Sequence, residues 1–222
     1  MYQMWITLAI QIFAIGIALF NVAKALYDNR NNFSFVILIW KRFRFWMFLQ
    51  ILGIIALIYF TYAALITITP YFGYGWLNLI AKDGGNILIT PIFSAFNSTM
   101  YIVRCFPSVF FFAFLLSLPF MARLEENIFR RGIHTWGKII WRSVVFGFMH
   151  LIIGIPVGVG IVLIIPGFFF ACVYRKTYLK LVSQNIAQKN ARNEAVLEST
   201  SYHTMMNTLF IGYILIVCII NI

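Results

Sequence analysis

Four apolar stretches of bilayer length, roughly 3–25, 45–69, 98–121 and 200–220, constrain this chain more than any other feature. About 20 mainly apolar residues let a helix cross the hydrocarbon core. Inside that core every backbone N–H and C=O must be satisfied within the chain, so such stretches form helices. A fifth stretch, 144–174, runs 31 residues without Lys, Arg, Asp or Glu but is interrupted by Gly154, Pro156, Gly158, Gly160 and Pro166-Gly167. Glycine and proline bend or end helices, so this stretch predicts two short helices joined by a tight turn. The fold class expected is all-α, a polytopic transmembrane helical bundle of about six spans. A composition of 62% hydrophobic and only 10% charged residues is far from that of a soluble domain.

The net charge of +11 would suggest nucleic acid in a soluble domain. Here the cations are confined to short runs between apolar stretches. Lys24, Arg30, Lys41, Arg42 and Arg44 precede the second span, and Arg123, Arg130, Arg131, Lys138 and Arg142 follow the third. Arg175, Lys176, Lys180, Lys189 and Arg192 precede the last. Fifteen of the 17 basic residues thus fall on one side, with Lys82 and Arg104 the exceptions. The positive-inside rule puts those loops in the cytoplasm and both termini outside. No nucleic-acid partner is expected.

Cys105, Cys172 and Cys218 are far apart within apolar runs and read as small core residues, not as a disulfide framework or a metal site. The first stretch lacks a basic leader region and reads as a retained span. Segment 70–97, with Pro70, Gly73, Gly75, a Lys-Asp-Gly-Gly turn at 82–85 and Pro91, is expected to hold a short interfacial helix. Residues 176–198 are expected to be a polar helical extension and loop. The chain divides at about residue 100 into N-terminal spans with a connecting segment (1–100) and a helical core (101–222) that carries the polar motifs.

Only six acidic residues exist, and two are adjacent, Glu125 and Glu126, at the end of the third span. Charge there is costly without a partner or a task. On a helix Glu126 and Arg130 are i,i+4 neighbours and can pair, whereas Glu125 points about 100° away and is left free. His150 follows Arg142 by two turns, about 12 Å deeper, with Phe146 one turn before it. Its neighbours Phe148, Met149, Leu151 and Ile152 are apolar. His203 and Asn207 share one face of the last span, also as i,i+4 neighbours. Each string taken alone also fits a structural role, a charged helix cap or an interhelical hydrogen bond. Together they lie at similar depth on three helices, where a carboxylate, two imidazoles and an amide make up a hydrolytic site. His134 lies in a basic loop and receives no role.

Glu125-Glu126-x-x-x-Arg130, Phe146-x-x-x-His150 and His203-x-x-x-Asn207 resemble, in order and internal spacing, the three motifs of the CAAX-processing and bacteriocin-immunity (CPBP) family. That family comprises CAAX prenyl endopeptidases and Abi-type membrane proteins. The resemblance covers about 83 residues, 125–207. It implies an intramembrane endopeptidase that cleaves a membrane-anchored or prenylated peptide near its C-terminus. Glu125 and His150 would activate water, His203 and Asn207 would stabilise the oxyanion, and Glu126, Arg130 and Phe146 would hold the site. A prokaryotic cell membrane is expected, with the site facing the cytoplasm by the distribution of basic residues. A metal-free mechanism is expected, with zinc held by Glu125, His150 and His203 as the alternative, since one Glu and two His with a water match a catalytic zinc set. Two other functions compete. One is a catalytically silent scaffold or immunity protein. The other is a small transporter, which would call for a repeated pair of broken helices where this chain has one broken region.

Overall fold

The computed structural model describes residues 2–79 and 100–220. Helix α1 (Tyr2–Asp28) leads through a 3-10 turn into α2 (Phe33–Lys41), and α3 (Phe45–Ile68) ends in two 3-10 turns, Pro70–Gly73 and Trp76–Leu79. Helices α4 (Tyr101–Phe129) and α5 (Trp136–Met149) follow. After a 3-10 turn at His150–Ile153 come α6 (Val157–Val162), α7 (Ile164–Ser183) and α8 (Gln188–Ile220). No strand occurs among the described residues.

Five segments among the described residues are long and apolar enough to cross a membrane: Phe45–Ile68, Arg104–Phe129, Trp136–Ile153, Val157–Ser183 and Gln188–Ile220. A sixth arises if α1 and α2, bent by 59° at their junction, count as one. The chain is an all-α polytopic bundle, as its apolar stretches dictate. Its most extensive interface is α4 against α8, followed by α8 against α7 and α7 against α5.

Three elements differ from expectation. The apolar run in the first basic segment forms α2, whose Phe35, Val36 and Ile39 pack on Phe120 of α4 and Leu197 of α8. The break between spanning segments in 144–174 falls at Gly154-Pro156, while α6 and α7, parted at Leu163, make up one segment, Val157–Ser183. Gly154 adopts φ +81°, a left-handed conformation that a residue with a Cβ resists, and Pro156 directly precedes α6. Pro166 sits in the first turn of α7, where its missing N–H costs nothing, so Pro166-Gly167 breaks no span. Helix α5 begins at Trp136 and carries Lys138 and Arg142 within it. In segment 70–97 the described part consists of the two 3-10 turns, while Lys82, the 82–85 turn and Pro91 lie outside the described residues. These turns dock on the α5–α6 corner: Val157 N–H donates to the Tyr74 carbonyl at 3.0 Å, and Trp76 Nε1 donates to the Leu151 carbonyl at 2.8 Å.

The corner is closely packed because its residues are small. A Cβ on Gly147 would stand 2.4 Å from the Gly160 carbonyl oxygen, and one on Gly167 would stand 3.0 Å from Phe146 Cδ1. Backbone-to-backbone approach of this kind holds α5, α6 and α7 together, and the Phe146 ring near the end of α5 lies 5.8 Å from the His203 ring of α8.

Candidate functional site

Helix α4 continues beyond its apolar stretch to Phe129, so Glu125, Glu126 and Arg130 lie on its last turn and at its C-cap. Glu126 is fully buried and Arg130 is 1% exposed. Arg130 Nε lies 3.6 Å from Glu126 Oε2, the helical pairing expected from their spacing. Arg130 Nη2 reaches the Gly167 carbonyl of α7 at 3.3 Å. The guanidinium carbon is 4.2 Å from the Phe146 ring centroid and 5.9 Å from that of Phe170. Arginine suits this place because its flat, weakly hydrated cation can stack on rings while donating in its own plane.

The carboxylate of Glu126 does more than pair with Arg130. His203 Nδ1 lies 2.9 Å from Glu126 Oε1, and the Ser199 hydroxyl donates to Glu126 Oε2. The His203 ring, 2% exposed, stacks on Phe170 at 4.8 Å between centroids. Because an ionised carboxylate only accepts, Nδ1 must carry the proton, and Nε2 is the nitrogen left to face the rest of the site. Nε2 lies 3.8 Å from Oε2 of Glu125. That oxygen is buried and has no hydrogen-bond partner among the described residues. The two adjacent glutamates therefore approach one imidazole at its two nitrogens, Glu126 as a close acceptor and Glu125 at a longer reach.

His150 departs from the position its sequence context implied. It is the C-cap of α5 and opens the 3-10 turn instead of lying mid-helix, because the chain turns at Gly154. Its Nδ1 lies 2.8 Å from the Phe146 carbonyl oxygen, a helix-end acceptor, so Nδ1 donates and Nε2 is free to accept. The Phe146 ring stands between the two histidines, edge-on to His150 at 4.8 Å and to His203 at 5.8 Å. Asn207 is half-buried one turn beyond His203 on α8.

The structure thus joins Glu126, Arg130, His203 and Phe146 in one packed unit, with Glu125 next to His203 and His150 next to Phe146. No family model, curated protein or solved structure matches the chain. Among the described residues, no three His, Cys, Asp or Glu side chains are grouped to hold a metal ion.

Sequence reasoning missed Ser199 and the direct Glu126–His203 contact. The signal for Ser199 was present: residues 199, 203 and 207 recur every four positions and so share a helix face. The cysteines also differ from expectation, since only Cys218 is fully buried while Cys105 and Cys172 are partly exposed.

Proposed function

We propose that this chain is an intramembrane endopeptidase of the kind its motifs resemble, the CAAX-processing type, acting on a membrane-anchored, possibly prenylated peptide. One observation carries the reading. Glu125 presents a buried carboxylate oxygen, without a hydrogen-bond partner among the described residues, to an imidazole whose other nitrogen is fixed by a second, fully buried glutamate. A purely structural cap would not need two carboxylates on one histidine.

In the proposed reaction Glu125, with His150 Nε2 as the second acceptor, takes a proton from a water as its oxygen attacks the scissile carbonyl carbon. The resulting oxyanion is met by His203 and the Asn207 amide. The C–N bond then breaks, and Glu125 returns its proton to the leaving amine. The basic residues near Glu125 and Glu126, Arg123, Arg130 and Arg131, together with those of α7 and the start of α8, support a site that faces the cytoplasm under the positive-inside rule.

The test is cleavage of prenylated and unprenylated reporter peptides by detergent-purified protein, read by product mass. Wild type should release the C-terminal fragment, and Glu125→Gln and His150→Ala should lose the activity while keeping the wild-type elution volume. Cleavage retained by both variants would remove the mechanism. Absence of cleavage in wild type, with partner binding indifferent to both substitutions, would make the bundle a catalytically silent scaffold or immunity protein.

A further inference from the structure

A second feature at the basic end of the bundle has no part in this chemistry. Between the start of α3, α7 from Phe169 onward and the first half of α8 lies a groove of about 680 Å³. One wall is apolar, built from Met47, Phe169 and Val173, with Trp46 at its mouth, 75% exposed. Lys176 and Lys180 continue the lining along α7 beyond Phe169 and Val173.

The charges around the groove do not cancel evenly. Its two acidic residues are both engaged: Glu194 Oε1 is 2.7 Å from Arg42 Nη1, and Glu198 pairs with Arg44 and lies 3.8 Å from Arg42. Lys176 and Lys180 have no ion pair among the described residues and are both exposed. They are i,i+4 neighbours on α7, so their ammonium groups can converge on one anion. They also stand in the last two turns of a spanning segment that ends at Ser183, level with the first turn of the Phe45–Ile68 segment that carries Trp46. Tryptophan with lysine at the end of a span marks the headgroup zone of a bilayer.

We infer that this groove is a binding site for an anionic phospholipid, with the phosphate held by Lys176 and Lys180 and an acyl chain laid along Met47, Phe169 and Val173. Charge complementarity selects the headgroup, because among the described residues this pair are the cations lining the groove without a carboxylate partner. The apolar wall selects a lipid over a soluble anion. A basic pocket between spans on the positive side of a membrane protein is a setting in which anionic headgroups bind. The inference is independent of whether the chain is a peptidase.

The experiment is native mass spectrometry of the full-length protein in detergent, titrated with phosphatidylglycerol, phosphatidylcholine and glycerol phosphate. Wild type should retain one phosphatidylglycerol in preference to phosphatidylcholine and bind glycerol phosphate far more weakly. The Lys176→Gln/Lys180→Gln double variant should lose about tenfold or more in phosphatidylglycerol affinity, in keeping with the attraction of two surface lysines to an anionic lipid. Its phosphatidylcholine binding should not change, and Lys138→Gln, an exposed lysine elsewhere, should behave as wild type. Equal binding of the two lipids by wild type, or undiminished phosphatidylglycerol binding by the double variant, would overturn the inference. Tight glycerol phosphate binding, or an acidic peptide that binds the groove where phosphatidylglycerol does not, would overturn it as well.

Discussion

Glu125 and Glu126 are chemically identical and adjacent, yet the helix assigns them opposite surroundings. Glu126 is enclosed by Arg130, Ser199 and His203, while the Glu125 side chain is 33% exposed and reaches His203 only at 3.8 Å. A buried ion pair costs much desolvation, and removing one partner strands the other charge. Arg130→Ala is expected to cost about 3–5 kcal/mol in stability, seen as loss of folded protein in size-exclusion chromatography. Ser199→Ala removes one hydrogen bond to a charged group and should cost about 1.5–3 kcal/mol, measured by thermal melting. Asn207→Ala should leave the melting temperature near wild type and lower kcat by about 100-fold or more, the scale of a lost oxyanion donor. The distinction between the two glutamates was legible from helical spacing alone. The contact of Glu126 with His203 was not, because it links residues 77 positions apart and depends on how α4 meets α8.

At the scale of elements, the corner joining α5, α6 and α7 sets where His150 ends up. Gly147→Ala would place a methyl 2.4 Å from the Gly160 carbonyl oxygen and 2.8 Å from Ile164 Cγ1. Overpacking of this kind typically costs about 1–3 kcal/mol, and displacing α5 should also move His150, so a lowered melting point with a larger fractional loss of cleavage is expected. The sequence indicated that stretch 144–174 breaks, since its glycines and prolines are unmistakable. It did not indicate which of them breaks it. Pro166 is harmless at the start of α7, whereas Gly154 with φ +81° ends the preceding helix and leaves His150 at its terminus. Helix α2 was hidden for a related reason: nine residues are too few to read as a span, and only its burial against Phe120 and Leu197 gives it a place.

Across the whole molecule, composition and apolar length were enough to dictate a polytopic helical bundle, because a bilayer admits few alternatives for such stretches. The loops at its basic end carry their own pH dependence. Burial, then the nearby Arg192 and Lys138, hold His134 below the ordinary imidazole value of 6.5, against a hydrogen bond with Ile133. The folded protein therefore favours the neutral ring, and stability from this group is present above pH 6.5 and declines as pH falls below it. Melting between pH 7.5 and 5.5 should show this decline, and His134→Gln should flatten it. The central claim, that the bundle encloses a hydrolytic site with Glu125 as base and Glu126 as its support, is tested most directly by comparing two single-atom-type changes. Reporter cleavage would be measured per mole of folded protein for Glu125→Gln and Glu126→Gln. The account predicts that Glu125→Gln folds in wild-type yield and is inactive, while Glu126→Gln loses folded yield and its surviving folded fraction still cleaves. Normal cleavage by folded Glu125→Gln would contradict it.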